Sequence, residues 1–148
     1  MNRSVELRLR NDLSQIEIAR DTLDILGGEL GMPMRALMQL QVALDEVVSN
    51  VVKYSWQDGG KHEFLVRITA HSDRMDLEIV DDGQAFDPSS APAPSRPPDG
   101  LRPRPGGLGI HMVKKLVDAL KYERIDGRNH TTLSKKFEVG AAAPGSET

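Results

Sequence analysis

Cysteine is absent from the 148-residue chain, which excludes disulfides and thiolate zinc sites. Aromatics are scarce: three Phe, two Tyr and one Trp make up 4% of the residues. That scarcity argues against a protein that stacks bases on aromatic side chains. Neither sign of charge dominates, with 19 Lys and Arg against 22 Asp and Glu for a net charge of -3. A basic face for nucleic acid is therefore not expected. No apolar run approaches the roughly 18 residues needed to cross a bilayer. The opening MNRSVELRLRND lacks the apolar centre of a signal peptide. These absences leave a cytoplasmic protein with no membrane and no nucleic-acid partner as the expectation. The length fits one domain large enough to bury its own core.

What is present is patterned. VELRLR alternates apolar and charged residues like a half-buried strand. SQIEIARDTLDILGGEL spaces Ile16, Ala19, Leu23 and Leu26 as a helix does. Ser14 and Glu17 form a capping-box pair at its start, and Gly27-Gly28 stand as its end. Pro33 opens a second helix, predicted to run to about Trp56. HEFLVRITAHS and RMDLEIVDD read as two alternating strands. Seven of the nine prolines then crowd into positions 88–105, where regular structure is not possible. Loops that long are usually lids or linkers. Ile110, Val113, Leu116, Val117 and Leu120 predict a third helix, HTTLSKKFEV predicts a closing strand, and residues 141–148 read as a frayed tail. The order strand, helix, helix, strand, strand, loop, helix, strand, strand predicts an α+β two-layer sandwich. Its sheet would be mixed but mostly antiparallel, with helices on one face.

Three polar clusters stand out. In LQVALDEVVSNVVKYSW the stripe Leu37, Leu40, Leu44, Val47, Val48 and Val51 would face the sheet, with Glu46, Asn50 and Lys53 together on the far side. Asn is a poor helix former, so its place there asks for a reason; a solvated face is the plain alternative. EIVDDGQAFDP ends a strand in two carboxylates and a glycine. It reads either as an Asp-Gly turn or as an acceptor for a base amine, with Gly83 allowing close approach. RPGGLGIHMV sets Gly106, Gly107 and Gly109 at a helix start. That is a hinge, or a place where backbone N–H groups meet phosphate. No Gly-Lys-Ser/Thr follows, so it is not a Walker loop.

Each cluster is ambiguous alone, but their order resembles the ATP-binding domain shared by gyrase, the ninety-kilodalton heat-shock chaperone, histidine kinases and the mismatch-repair protein MutL. The nearest resemblance is to the small anti-sigma-factor serine/threonine protein kinases, in which this domain stands alone. ALDEVVSNVVKY is similar to the N box of that family, VDDGQAFDP to its first glycine box and GGLGIHMVKKLVD to its second. The resemblance runs from about Val5 to Val139 and implies a single ATPase-like domain over residues 1–140, with a lid at about 85–106. It implies ATP and Mg²⁺ as cofactors. Glu46 would be the general base and Asn50 the magnesium ligand. Lys53 would lie near phosphate, Asp81 would accept the adenine amine and Gly83 would give the base room. Gly106, Gly107, Leu108 and Gly109 would hold the phosphates, and Arg102 or Arg104 of the lid would touch the terminal one. Ala85 replaces the last glycine of the usual Asp-x-Gly-x-Gly. The family's Gly-Thr pair is replaced by RNHTTL, where Thr131 and Thr132 both compete to face adenine; Thr132 is carried as the site residue. The resemblance also implies partners: a STAS-type anti-anti-sigma factor, a sigma factor and a second copy in a homodimer. Two alternatives stay open: a catalytically silent, nucleotide-dependent module that sequesters a partner, and a detached ATPase. A histidine kinase is disfavoured, because His62, His71, His111 and His130 all fall inside the nucleotide domain itself.

Overall fold

The computed structural model describes residues 2–86 and 107–138. Residues 87–106, most of the segment expected to be a lid, with Arg102, Arg104 and Gly106, and residues 139–148 lie outside the described residues. Strand β1 (Arg3–Arg10) leads through helices α1 (Ile16–Leu30) and α2 (Met34–Tyr54) to the hairpin β2 (Glu63–Ala70) and β3 (Arg74–Asp81). Helix α3 (Gly107–Leu116) and the hairpin β4 (Ala119–Ile125) and β5 (Arg128–Lys136) follow. The five strands form one sheet in the order β1-β2-β3-β5-β4. The expected α+β sandwich is present, and its sheet is antiparallel at every pairing rather than mixed.

Period-two alternation explains why one sheet face is covered. Phe64, Val66, Ile68 and Ala70 of β2 and Met75, Leu77 and Ile79 of β3 are buried, while their neighbours in sequence are less so. Onto this face α2 lays Leu40, Leu44, Val47, Val48 and Val51, all buried. Each such side chain contributes roughly 1.5–3 kcal/mol relative to exposure. The open face carries charges in cross-strand rows, as where Arg67 of β2 reaches both Glu6 of β1 and Glu78 of β3.

Three local expectations change. Ser14 does not cap α1. A single 3₁₀ turn, Leu13–Gln15, precedes the helix, and the Asp12 carboxylate accepts the Ser14 N–H at 3.0 Å instead. Gly27 and Gly28 do not end α1. The helix runs on to Leu30 and closes on Gly31, whose φ of 75° suits glycine. There Met32 N–H donates to the Gly27 carbonyl and Gly31 N–H to that of Gly28, the paired bonds of a Schellman ending. Gly27 has a different role: a Cβ there would lie 2.9 Å from Leu37 Cδ1 of α2, so the Leu37 side chain would have to shift to admit one. Finally, Leu120 belongs to β4 and not to a helix. The Lys135 ammonium donates to the Leu116 carbonyl, capping α3 there, and Asp118 N–H bonds the Ser134 carbonyl, which draws the chain onto β5.

Candidate functional site

The polar residues of α2 separate into different roles once the helix is seated. Asp45 forms a two-pronged ion pair with Arg20 of α1, at 2.6 and 2.5 Å, and so ties the two helices together. Lys53 is exposed and Glu46 half-buried. Asn50 is buried, at 7% exposure, so it does not belong to a solvated face. Its Nδ2 has no hydrogen-bond partner among the described residues. An unpartnered buried amide costs about 1–3 kcal/mol and calls for an explanation.

Asn50 lines a cavity between α2 and the sheet. Val47, Val51 and Phe86 give it apolar walls, and Asp81, Asn129 and Thr131 converge on it from the strands. A mostly apolar lining with a few convergent polar groups is the chemistry of a small-molecule site, although residues 2–86 and 107–138 enclose only about 20 Å³ of it. Strand register decides which side chains reach it. Asp81 pairs with Asn129 and Ile79 with Thr131, so these four share the helix-facing side. Thr132, one residue on, sits opposite Glu78 and Lys121 on the open face. Of the two candidate threonines the structure brings Thr131 to the cavity and takes Thr132 away from it.

The Asp-x-Gly loop is fastened to the end of α2. Gln84 N–H donates to the Ser55 carbonyl at 2.8 Å, the Gln84 side-chain amide to the Tyr54 carbonyl, and Trp56 Nε1 to Asp82 at 3.0 Å. Gly83 therefore has another reason than room for a ligand. A Cβ on it would meet Ser55, which belongs to the protein's own backbone. Asp81 is buried and accepts Gly83 N–H on Oδ1 at 2.9 Å.

Asn129 is a site residue that sequence reading missed, and it joins Asp81 in the cavity wall. Its signal was present, since Asn is disfavoured inside strands. Gly107 and Gly109 occupy the first turn of α3, which packs on α2. Leu108 lies between them. Glu46 and Lys53 do not line the cavity; Glu46 stands one helical turn before Asn50. A hollow of about 630 Å³ lies on the open sheet face, lined by Arg8, Arg10, Lys61 and Arg128 among others, away from Asn50 and Thr131.

The donor set can be matched against a nucleotide and its cation. Among the described residues no cluster of three His, Cys, Asp or Glu could cage a metal. A cation near Asn50 would share its coordination with ligand oxygens and water, which suits Mg²⁺. Asn50 supplies an amide oxygen, a hard donor of the kind Mg²⁺ takes, and its buried Nδ2 is left for a ligand acceptor. The residues present fit the group.

A model of the histidine kinase-like ATPase domain matches residues 9–135. The chain belongs to that family, and within it to the group of anti-sigma-factor kinases. It is 32% identical over 102 residues to the serine/threonine-protein kinase BtrW of Bordetella bronchiseptica, covering 68% of this chain and 70% of that one. It is 26% identical over 129 residues to the serine-protein kinase RsbW of Bacillus velezensis, covering 83% and 79%. Its fold is similar to the crystal structure of the RsbU and RsbW domains of Rv1364c from Mycobacterium tuberculosis, with a TM-score of 0.65 at 17% identity. That match covers 90% of this chain and 32% of that longer one. No described helix is long and apolar enough to cross a membrane.

Proposed function

We propose that this protein is a serine/threonine protein kinase that transfers the γ-phosphoryl group of ATP to a hydroxyl of a STAS-type anti-anti-sigma factor. We also propose that, as a homodimer, it holds a sigma factor inactive. The observation that carries the nucleotide reading is the cavity in which Asn50, with an unpartnered buried amide, faces Asp81 and Thr131. The kinase relatives support the reaction type.

Asp81 accepts the exocyclic amine of adenine, and Val47, Val51 and Phe86 exclude water around the base. Asn50 holds Mg²⁺ through its side-chain oxygen, and the ion when bound neutralises charge on the phosphates. The N–H groups at the start of α3, at Gly107 and Gly109, donate to phosphate oxygens. Glu46 takes the proton of the substrate hydroxyl as that oxygen bonds the γ-phosphorus and the bond from γ-phosphorus to the ADP oxygen breaks. Arg102 or Arg104 of the lid steadies the terminal phosphate. The catalytically silent alternative draws on Glu46 lying outside the cavity lining. One experiment separates them. The protein is mixed with Mg-ATP and a STAS-domain partner, and the partner's intact mass is followed. Added phosphate supports the kinase; nucleotide binding without transfer supports the silent module.

A further inference from the structure

Behind Asp81 lies a hydrogen-bonded chain with no part in the chemistry above. The hairpin β4–β5 turns through Asp126 and Gly127, both with positive φ, 50° and 75°, as a two-residue type I′ turn requires. That turn fixes the register so that Arg124, Asn129 and Asp81 form one cross-strand row on the helix-facing side. Asn129 is almost wholly buried, at 3% exposure. Its Oδ1 accepts from Arg124 Nη1 at 3.0 Å and from the Tyr122 hydroxyl at 2.5 Å. Its Nδ2 donates to the Gln84 carbonyl at 2.8 Å and to Asp81 Oδ1 at 3.0 Å. Arginine only donates and a carbonyl only accepts, so these partners settle which way the amide points. Arg124 also donates to the Gly83 carbonyl at 2.8 Å, holding loop and amide together.

The consequence falls on Asp81. Both donors that reach it, Gly83 N–H and Asn129 Nδ2, bind the same oxygen, Oδ1. Its second oxygen receives no donor among the described residues. We infer that Asn129, held by Tyr122 and Arg124, is a positioning residue for base selection: it occupies one oxygen of Asp81 and presents the other, as an acceptor only, to a purine bearing an amine at position 6. The inference rests on the nucleotide reading above and adds its specificity. A base with a carbonyl at that position sets oxygen against oxygen in a buried site. A site built to receive a donor rejects an analogue without one far more strongly than a greasy pocket rejects a change of size.

The test compares Mg-ATP with Mg-inosine triphosphate, which replaces the 6-amine by a carbonyl, in equilibrium titrations of the full chain. The unsubstituted protein is expected to favour ATP. Asn129→Ala should cut that preference by about ten-fold, almost entirely through weaker ATP binding, with inosine triphosphate affinity little changed. Arg124→Met, at an exposed position, should cut it in the same direction and carries the test if Asn129→Ala fails to fold. Parallel weakening of both nucleotides in the variants would overturn the inference and reduce Asn129 to a structural role. Equal binding of both by the unsubstituted protein would overturn it too. Binding of neither by the unsubstituted protein would overturn the nucleotide reading itself.

Discussion

Gly83 and Ser55 approach so closely that a Cβ on Gly83 would lie 2.3 Å from the Ser55 carbonyl oxygen. Ser55 follows the last residue of α2, and Gly83 lies two residues after the strand-end carboxylate Asp81. The contact therefore sets the distance between the helix that carries Asn50 and the strand that carries Asp81, and with it the width of the cavity.

Gly83→Ala should damage stability and binding together. The neighbour is backbone and cannot swing aside, so the loop or the end of α2 must move. Overpacking of this kind typically costs about 1–3 kcal/mol, or a fall in Tm of roughly 2–12 °C for a domain of this size. A thermal melt and a nucleotide titration on the same sample check it. An unchanged Tm would remove the claim that the contact is tight.

Gly28→Ala should do the opposite. Gly28 lies inside α1, and a Cβ there meets nothing within 4 Å. Replacing glycine by alanine in a helix stabilises by roughly 0.8–1 kcal/mol, a rise in Tm of about 2–4 °C. The same change at Gly27 should bring no such gain, because Leu37 occupies the space. Calorimetric melts of the two variants side by side decide whether α1 is continuous through both glycines.

Asn50→Leu should separate stability from function. The amide is buried without a partner for Nδ2, so an apolar side chain of similar size removes a desolvated polar atom. Tm is expected to hold or rise while the magnesium-dependent part of ATP affinity disappears. A variant that loses several degrees, yet keeps its magnesium dependence, would assign Asn50 to the scaffold instead.

Glu46→Gln should abolish phosphoryl transfer and leave ATP binding within about two-fold, since the amide keeps the shape but cannot take the proton. Single-turnover transfer to a STAS partner, read by intact mass, measures the first; titration measures the second. Transfer that survives the substitution would move the general base elsewhere.

Asp12 sets a small acid dependence. The backbone N–H of Ser14, bonded to its side chain, holds the carboxyl below its ordinary value of 3.8. A depressed pKa means the folded state favours the charged form. This contribution is complete above the ordinary value and is lost as pH falls through the depressed one. Asp12→Asn, which can still cap a turn, should melt like the unsubstituted protein at neutral pH and lose less of its Tm on acidification below about 4. Identical acid profiles would show that the cap carries no linkage.

Much of this fold was legible along the chain, for particular reasons. The alternation in EFLVRITA and RMDLEIVD and the stripe from Leu40 to Val51 are local periodicities, and a sheet face or helix stripe that repeats must be covered. Asn50 was legible as a residue type out of keeping with its helix, and Asp81 as a carboxylate at a strand end just before a glycine. Glycine was harder to read. Gly27-Gly28 looked like a stop because sequence shows a propensity and not the neighbour, Leu37, that packs over one of them. Gly83 was assigned its freedom for a ligand, when Ser55 claims it.

The order of the chain alone determined the two layers and the stripe that joins them, because each of these follows from repeats a few residues long. Only the tertiary structure decided which neighbours meet. A one-residue step along β5 exchanges Thr131 for Thr132 between opposite faces, and the β4–β5 turn brings Asn129 and Arg124 into line with a carboxylate more than forty positions away. Register is a property of paired strands, and no single strand contains it.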